Sequence, residues 1–141
     1  MARTLGVDLG ERRVGFAVSD PDGILATPHS VAHVRSREEA VAAAASLVKD
    51  AEAEAVVVGW PVNMDGSHGP ATETVKRFVE DLRERVSVPI ETWDERLTTK
   101  SAMDVLAVAG TRRERREKNV VDKLAAQIML QHYLDAHEGV E

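Results

Sequence analysis

Three carboxylate positions stand out in this chain of 141 residues. Asp8 interrupts the apolar run in GVDLG, between Val7 and Leu9 and just before Gly10. Asp94-Glu95-Arg96 follows a short run that ends in Trp93, and Asp122 falls three residues after Asn119. A strand interior is ordinarily apolar, so a carboxylate at position 8 calls for a reason. Carboxylates gathered at one place repel one another unless a cation neutralises them. An all-oxygen donor set favours a hard divalent ion, Mg2+ or Mn2+. Two such ions held ~4 Å apart activate a water and stabilise the leaving oxygen of a phosphodiester.

Each position also has an ordinary structural reading. Asp8, ahead of a Gly-containing turn, could bond backbone N–H groups. Asp94 and Glu95 could form a solvated strand end paired with Arg96. Asp122 could favour the start of a helix through its dipole. It is the conjunction that points to a metal site.

The elements that must hold these residues are legible from turn signals and periodicity. Thr4–Leu9 and Arg13–Ser19 read as strands joined by a tight turn at Gly10. Asp20-Pro21-Asp22-Gly23 is a strong turn signal, because proline presets φ and glycine accepts unusual angles. Ile24–Val34 reads as a third strand, irregular around Pro28. Short links between three strands imply an antiparallel meander. Ser36 with Glu39 forms a capping box ahead of Val41, Ala44, Ala45 and Val48 at helical spacing. Ala55–Gly59 is a continuous apolar run, as in a strand buried on both faces. Val75, Phe78, Val79, Leu82 and Val86 form a helical stripe. Val88–Trp93 is the next strand, Thr99–Ala109 a short helix stopped by Gly110, and Asn119–His137 the final helix. The order βββαβαβα requires parallel pairing of the later strands through right-handed crossovers. The expected fold class is α/β, a five-stranded mixed sheet with helices on both faces. Residues 1–141 are expected to form a single domain, with the last few, Glu138 to Glu141, frayed.

In such a sheet, ligands bind beyond the carboxyl ends of the strands. Asp8 and the Asp94-Glu95 pair stand at such ends, so a shared site requires them on one face.

Composition limits the partners. Apolar residues make up 43% and charged residues 30%, a soluble globular balance. There is no cysteine, which excludes a disulfide frame and a cysteine nucleophile and agrees with a reducing compartment. The amino-terminal segment lacks a secretory signal pattern, and no run reaches the length of a membrane span, so a cytoplasmic location with no membrane partner is expected. The net charge of −6 argues against indiscriminate nucleic-acid binding. Yet TRRERREK concentrates Arg112, Arg113, Arg115, Arg116 and Lys118. That segment is either a solvated surface or a phosphate contact whose binding falls with salt. Arg12 and Arg13 in the first turn carry the same two readings. So does the turn-rich stretch Trp60–Gly69, where Asn63, Asp65, Ser67 and His68 could touch substrate. His29 and His33 read as structural or exposed. Neither a serine triad nor a GxxxxGK[ST] phosphate loop is present.

Four blocks carry a family resemblance: VDLGERRVGFAVSD, VVVGWPVNMDGS, WDERLTT and NVVDKLAAQIMLQHYL. With their spacings they cover nearly the whole chain, and in this order they resemble the YqgF/RuvX family, Holliday-junction-resolvase-like proteins with an RNase H-like fold. The resemblance implies a central first strand, one strand between that of Asp8 and that of Glu95 (a span of about 10 Å, closed by glutamate reach or a pair of metals), and divalent-metal nuclease chemistry. It makes Asp8, Glu95 and Asp122 the catalytic, metal-binding residues, with Asp94 a fourth ligand or a support for Arg96. It implies Mg2+ or Mn2+ as cofactor and nucleic acid as partner. Arg12, Arg13, Asn63, Arg96, Arg112, Arg113, Arg115, Arg116 and Lys118 are the candidate contacts to it. The substrate is either structured RNA, the 5′ end of the small-subunit ribosomal RNA precursor, or branched DNA at a Holliday junction.

Two rival readings stand beside it. GVDLG with its hairpin also resembles the phosphate-binding hairpin of actin-like ATPases and sugar kinases, but those need a second such domain, which this length does not supply. A nucleic-acid- or ribosome-binding module without catalysis would keep the fold but has no need of the carboxylates. Monomer and homodimer both stay open: paired cuts at a two-fold junction need paired sites, and trimming an RNA does not.

Overall fold

A computed structural model describes residues 3–10, 12–60, 70–94 and 118–137. Among these, the elements in chain order are β1 (Arg3–Leu9), β2 (Arg13–Ser19), β3 (Ala26–His33), α1 (Arg37–Asp50), β4 (Ala53–Trp60), α2 (Pro70–Arg83), β5 (Ile90–Asp94) and α3 (Lys118–His137). The strands form one five-stranded sheet in the order β3-β2-β1-β4-β5. β1, β2 and β3 pair antiparallel, and β1–β4 and β4–β5 pair parallel. The meander, the parallel crossovers and the central first strand therefore agree with the sequence reading.

Alternation along β1 decides what each face does. Leu5 and Val7 are fully buried, with Val14, Phe16, Val56 and Val58, beneath α1 and α2. α1 contributes Ala40, Val41, Ala44 and Val48, and α2 contributes Val75, Phe78, Val79 and Leu82. These β-branched and aromatic side chains suit a pleated surface buried on both sides, each contributing about 1.5–3 kcal/mol when sealed from water. The opposite face carries smaller residues, Gly6, Ala17 and Val57, and takes α3 through Ala126, Met129, Leu130 and Leu134. A Cβ on Gly6 would stand 3.0 Å from the Leu130 Cβ, so glycine lets α3 approach the central strand closely.

The element ends differ from the sequence reading for local reasons. The third strand starts at Ala26, not Ile24, because Asp20 Oδ1 accepts from the N–H groups of Ile24 (2.8 Å) and Leu25 (3.2 Å) and holds both in the turn. Those bonds, the one from Ile24 foremost, keep the Asp20 carboxyl below its ordinary pKa. Ile24 and Leu25 are left 59% exposed. Gly23 closes the turn with φ of 70° and donates to Asp20 O. The irregularity anticipated at Pro28 is a register shift between Phe16 and Ala17 on the partner strand. The capping box at α1 is present but reaches one residue back. Ser36 accepts from Glu39 N, while the Glu39 carboxylate accepts from Arg35 N at 2.7 Å. β5 begins at Ile90, since Pro89 has no N–H and contributes its carbonyl to Val56 N. α2 runs from Pro70, a favoured first residue, and stops at Arg83 before Val86, the last residue of its predicted stripe. The helix anticipated at Thr99–Ala109, the stretch from residue 61 to 69 and the tail from Glu138 lie outside the described residues.

Candidate active site

Asp8 stands near the carboxyl end of the central strand, half-buried, where the sealed positions of β1 give way to partly open ones. It shares the face of Gly6, the face α3 covers, because residues two apart in a strand point the same way. Across the sheet it pairs with Gly15 of β2. On the other side β4 follows the Val7–Val58 pair with Gly59. Asp8 is thus flanked on both sides by glycines, which place no side chain over it. The Asp8 carboxylate stands where the sealed interior of the strand ends, a hard oxygen donor at the carboxyl end of the central strand.

β5 lies two strands from β1, with β4 between, as the family resemblance implies. Its Trp93 pairs with Gly59, in the row of Asp8, and Glu91 pairs with Val57, in the row of Gly6. Trp93 packs with the α3 cluster, so Glu91 and Trp93 share the face of Asp8. Asp94 is the last residue of β5 and pairs with Trp60. Glu95 and Arg96 lie outside the described residues, as do Asn63, Asp65, Ser67, His68, Arg112, Arg113, Arg115 and Arg116. Lys118 opens α3, and Asp122 stands in its second turn, four residues before the buried Ala126. Among the described residues no group of three His, Asp or Glu side chains is placed to hold a metal ion.

The β1–β2 turn borders the site. Gly10 N donates to Arg13 O at 3.0 Å, and Val34 N donates to Arg12 O at 2.8 Å. Arg12 is exposed and Arg13 half-buried. A Cβ at position 10 would fall 2.5 Å from Arg13 O, so the turn admits glycine and little else. His29 and His33 are exposed on the edge strand β3, as expected, and His29 Nδ1 bonds the hydroxyl of its neighbour Ser30. A cavity of about 520 Å³ lined by Arg3, Ser19, Asp20, His29 and Asp50 lies at the other, amino-terminal end of β1, away from Asp8.

α3 is held on both flanks by residues the sequence reading did not single out. On the β3 side, Gln131 accepts from Ala26 N at 2.9 Å and donates to Ile24 O at 2.8 Å, and Gln127 donates to Ala26 O at 3.1 Å. On the β5 side, the Tyr133 hydroxyl donates to Glu91 Oε2 at 2.6 Å. The Tyr133 ring meets Trp93 edge-on, with centroids 5.7 Å apart and planes at 89°. Burial, reinforced by the Glu91 carboxylate, pushes the Tyr133 phenol up to about 12. The signal that could have found Tyr133 is helical: it follows Asp122 by eleven residues, three turns of one stripe.

Known proteins are similar to this chain in sequence or in fold. The "Putative pre-16S rRNA nuclease" of Myxococcus xanthus is 42% identical over 135 residues, 96% of this chain and 89% of its own length. The protein of that name from Caldanaerobacter subterraneus is 43% identical over 137 residues, 97% of this chain and 99% of its own. Among solved structures, Thermus thermophilus RuvC in complex with a Holliday junction superposes with a TM-score of 0.63 at 17% identity, covering 99% of this chain and 97% of that one. The fowlpox virus resolvase bound to Holliday junction DNA superposes with a TM-score of 0.59 at 10% identity, covering 96% and 99%. The fold is RNase H-like, shared with these resolvases. The model of the RuvX family, described as Holliday junction resolvase, matches residues 2–136, and the chain belongs to that family.

Proposed function

We propose that this protein is a divalent-metal-dependent nuclease that trims the 5′ end of the small-subunit ribosomal RNA precursor. The observation that carries this reading is Asp8: a half-buried carboxylate near the carboxyl end of the central strand, between glycines, on the face that α3 covers. Relatives about 40% identical over nearly the whole chain bear the pre-16S name, which favours RNA over branched DNA. The reading takes residues 1–141 as one domain that works in the cytoplasm. No helix among the described residues is long and apolar enough to cross a membrane, which agrees with a substrate met in solution.

Asp8 fits a magnesium or manganese site by its chemistry, an oxygen donor at a strand end with glycines on both neighbouring strands. Glu95 and Asp122 are the proposed partners. Glu91 and Trp93 share the face of Asp8, whereas Asp94, the last residue of β5, falls on the other parity, which favours Glu95 as the ligand. Asp122 precedes Leu130, the residue packed on Gly6, by two helical turns, which supports its reaching the carboxyl end of β1. When bound, the ion polarises the scissile phosphate and lowers the pKa of an attacking water. The chain's share is to hold three carboxylates against their mutual repulsion and to orient the phosphate by Arg12 and Arg13 of the β1–β2 turn. Asn63, Arg96 and the segment from Arg112 through Lys118 serve as further phosphate contacts.

A second reading, cleavage of a Holliday junction, is favoured by the family description and by the resolvase fold. One assay separates them. Purified protein is given precursor RNA beside a synthetic four-way junction, with Mg2+, with Mn2+ and with a chelator. The expected result is metal-dependent cleavage of the RNA near its 5′ end, lost on chelation. Asp8→Asn should lower the rate by more than about 100-fold, beyond what losing a mere support to a metal ligand costs. Junction cleavage with untouched RNA would establish the second reading. Tight binding with no cleavage under either metal would make the protein a binding module.

A further inference from the structure

Asp122 and Glu95, the proposed partners of Asp8, belong to different elements. One is carried by α3. The other follows β5, a strand of five residues that pairs, among the described residues, with β4 alone. A strand bonded on one side gains placement from whatever packs on its face. α3 lies mainly over β1, β2 and β3. Across that gap stands Tyr133, whose hydroxyl donates to Glu91 and whose ring edge meets Trp93. At 2.6 Å the phenol–carboxylate bond is in the range of charge-assisted pairs, the directional kind.

We infer that Tyr133 is a positioning residue for the metal site: its bond to Glu91 and its contact with Trp93 set β5 against α3, and with them the spacing of Glu95 and Asp122. The inference rests on the functional reading above. The lever arms are short. Glu91 precedes Glu95 by four residues in the sequence. Asp122 precedes Tyr133 by eleven residues on one helical stripe. The fold does not need the hydroxyl for cohesion. α3 is already seated by Met129, Leu130 and Leu134 and tied to β3 by Gln127 and Gln131. Phenylalanine would fill the same space against Trp93. What the hydroxyl adds is a fixed distance between two elements.

The test uses the full chain in a Trp60→Phe background, so that Trp93 is the single tryptophan. Mn2+ quenching of Trp93 fluorescence gives metal affinity without any cleavage. Tyr133→Phe and Glu91→Ala should each weaken Mn2+ binding about tenfold, the low end for a residue supporting a metal ligand. The double variant should be no worse than either single one, because both remove one bond. Glu91→Gln, which still accepts from the phenol, should recover most of the affinity. In cleavage, the half-saturating metal concentration should rise while the rate at saturating metal falls by less than about twofold, since the ligands themselves are intact. Unchanged Mn2+ affinity in Tyr133→Phe, with the signal abolished in Asp8→Asn, would overturn the positioning role and leave the metal site standing. Absence of any Mn2+ response in the unsubstituted chain would overturn both.

Discussion

The role proposed for Asp8 rests on where burial ends. Leu5 and Val7 are sealed, and Asp8 is the first residue beyond them with access to solvent. Buried fully, it would have to surrender its charge or find a partner. Exposed fully, it could not hold an ion rigidly. Gly10 is fixed as firmly by its surroundings. An alanine there drives its Cβ to 2.5 Å from Arg13 O, backbone that cannot step aside. Gly10→Ala should therefore destabilise the protein by about 1–3 kcal/mol, read as a shift in the denaturant midpoint. It should also weaken substrate binding, because the same turn presents Arg12 and Arg13.

α3 is the element on which the proposed site depends most. It is attached through close packing of Leu130 on Gly6, amide pairs from Gln127 and Gln131, and the phenol of Tyr133. Tyr133 is the single tyrosine of the chain, so phenolate absorbance reports it alone. Its pKa is raised to about 12, chiefly by burial, against an ordinary value of 10.0. A raised pKa means the folded state holds the proton more tightly than the unfolded one. The associated stability is fully present below about pH 10 and is lost as pH rises toward about 12. Spectroscopic titration should show a midpoint near 12 in buffer and near 10 in denaturant. Stability should fall less steeply over that window in Tyr133→Phe than in the unsubstituted chain. Equal slopes would mean that burial of the phenol is not felt in stability.

At the scale of the molecule, a chain of net charge −6 must bind a polyanion through local patches. Replacing Arg112, Arg113, Arg115 and Arg116 with alanine should weaken RNA binding. It should also make the dependence of log K on log salt shallower by about 0.7–0.9 for each phosphate that is no longer neutralised. Unchanged affinity and slope would return that segment to the role of a solvated surface. Weaker binding with an unchanged slope would point to a disturbed fold instead.

Periodicity and turn chemistry act over a few residues, and for that reason the chain order already revealed the succession of elements, the antiparallel start and parallel finish of the sheet, and the capping of α1. The same local logic singled out Asp8, because a carboxylate inside an apolar run is a contradiction visible within five residues. The ends of elements were less legible: Ile24 and Leu25 read as strand, yet Asp20 draws their N–H groups into the turn. Folding was needed to set which face Asp8 takes, to flank it with Gly15 and Gly59, and to bring Glu91 and Trp93 onto that face. Folding also joined Tyr133 to Glu91 across 42 positions and Gln131 to Ile24 across 107. No local pattern encodes such pairs, because their partners meet only when the strands pair and α3 settles on the sheet.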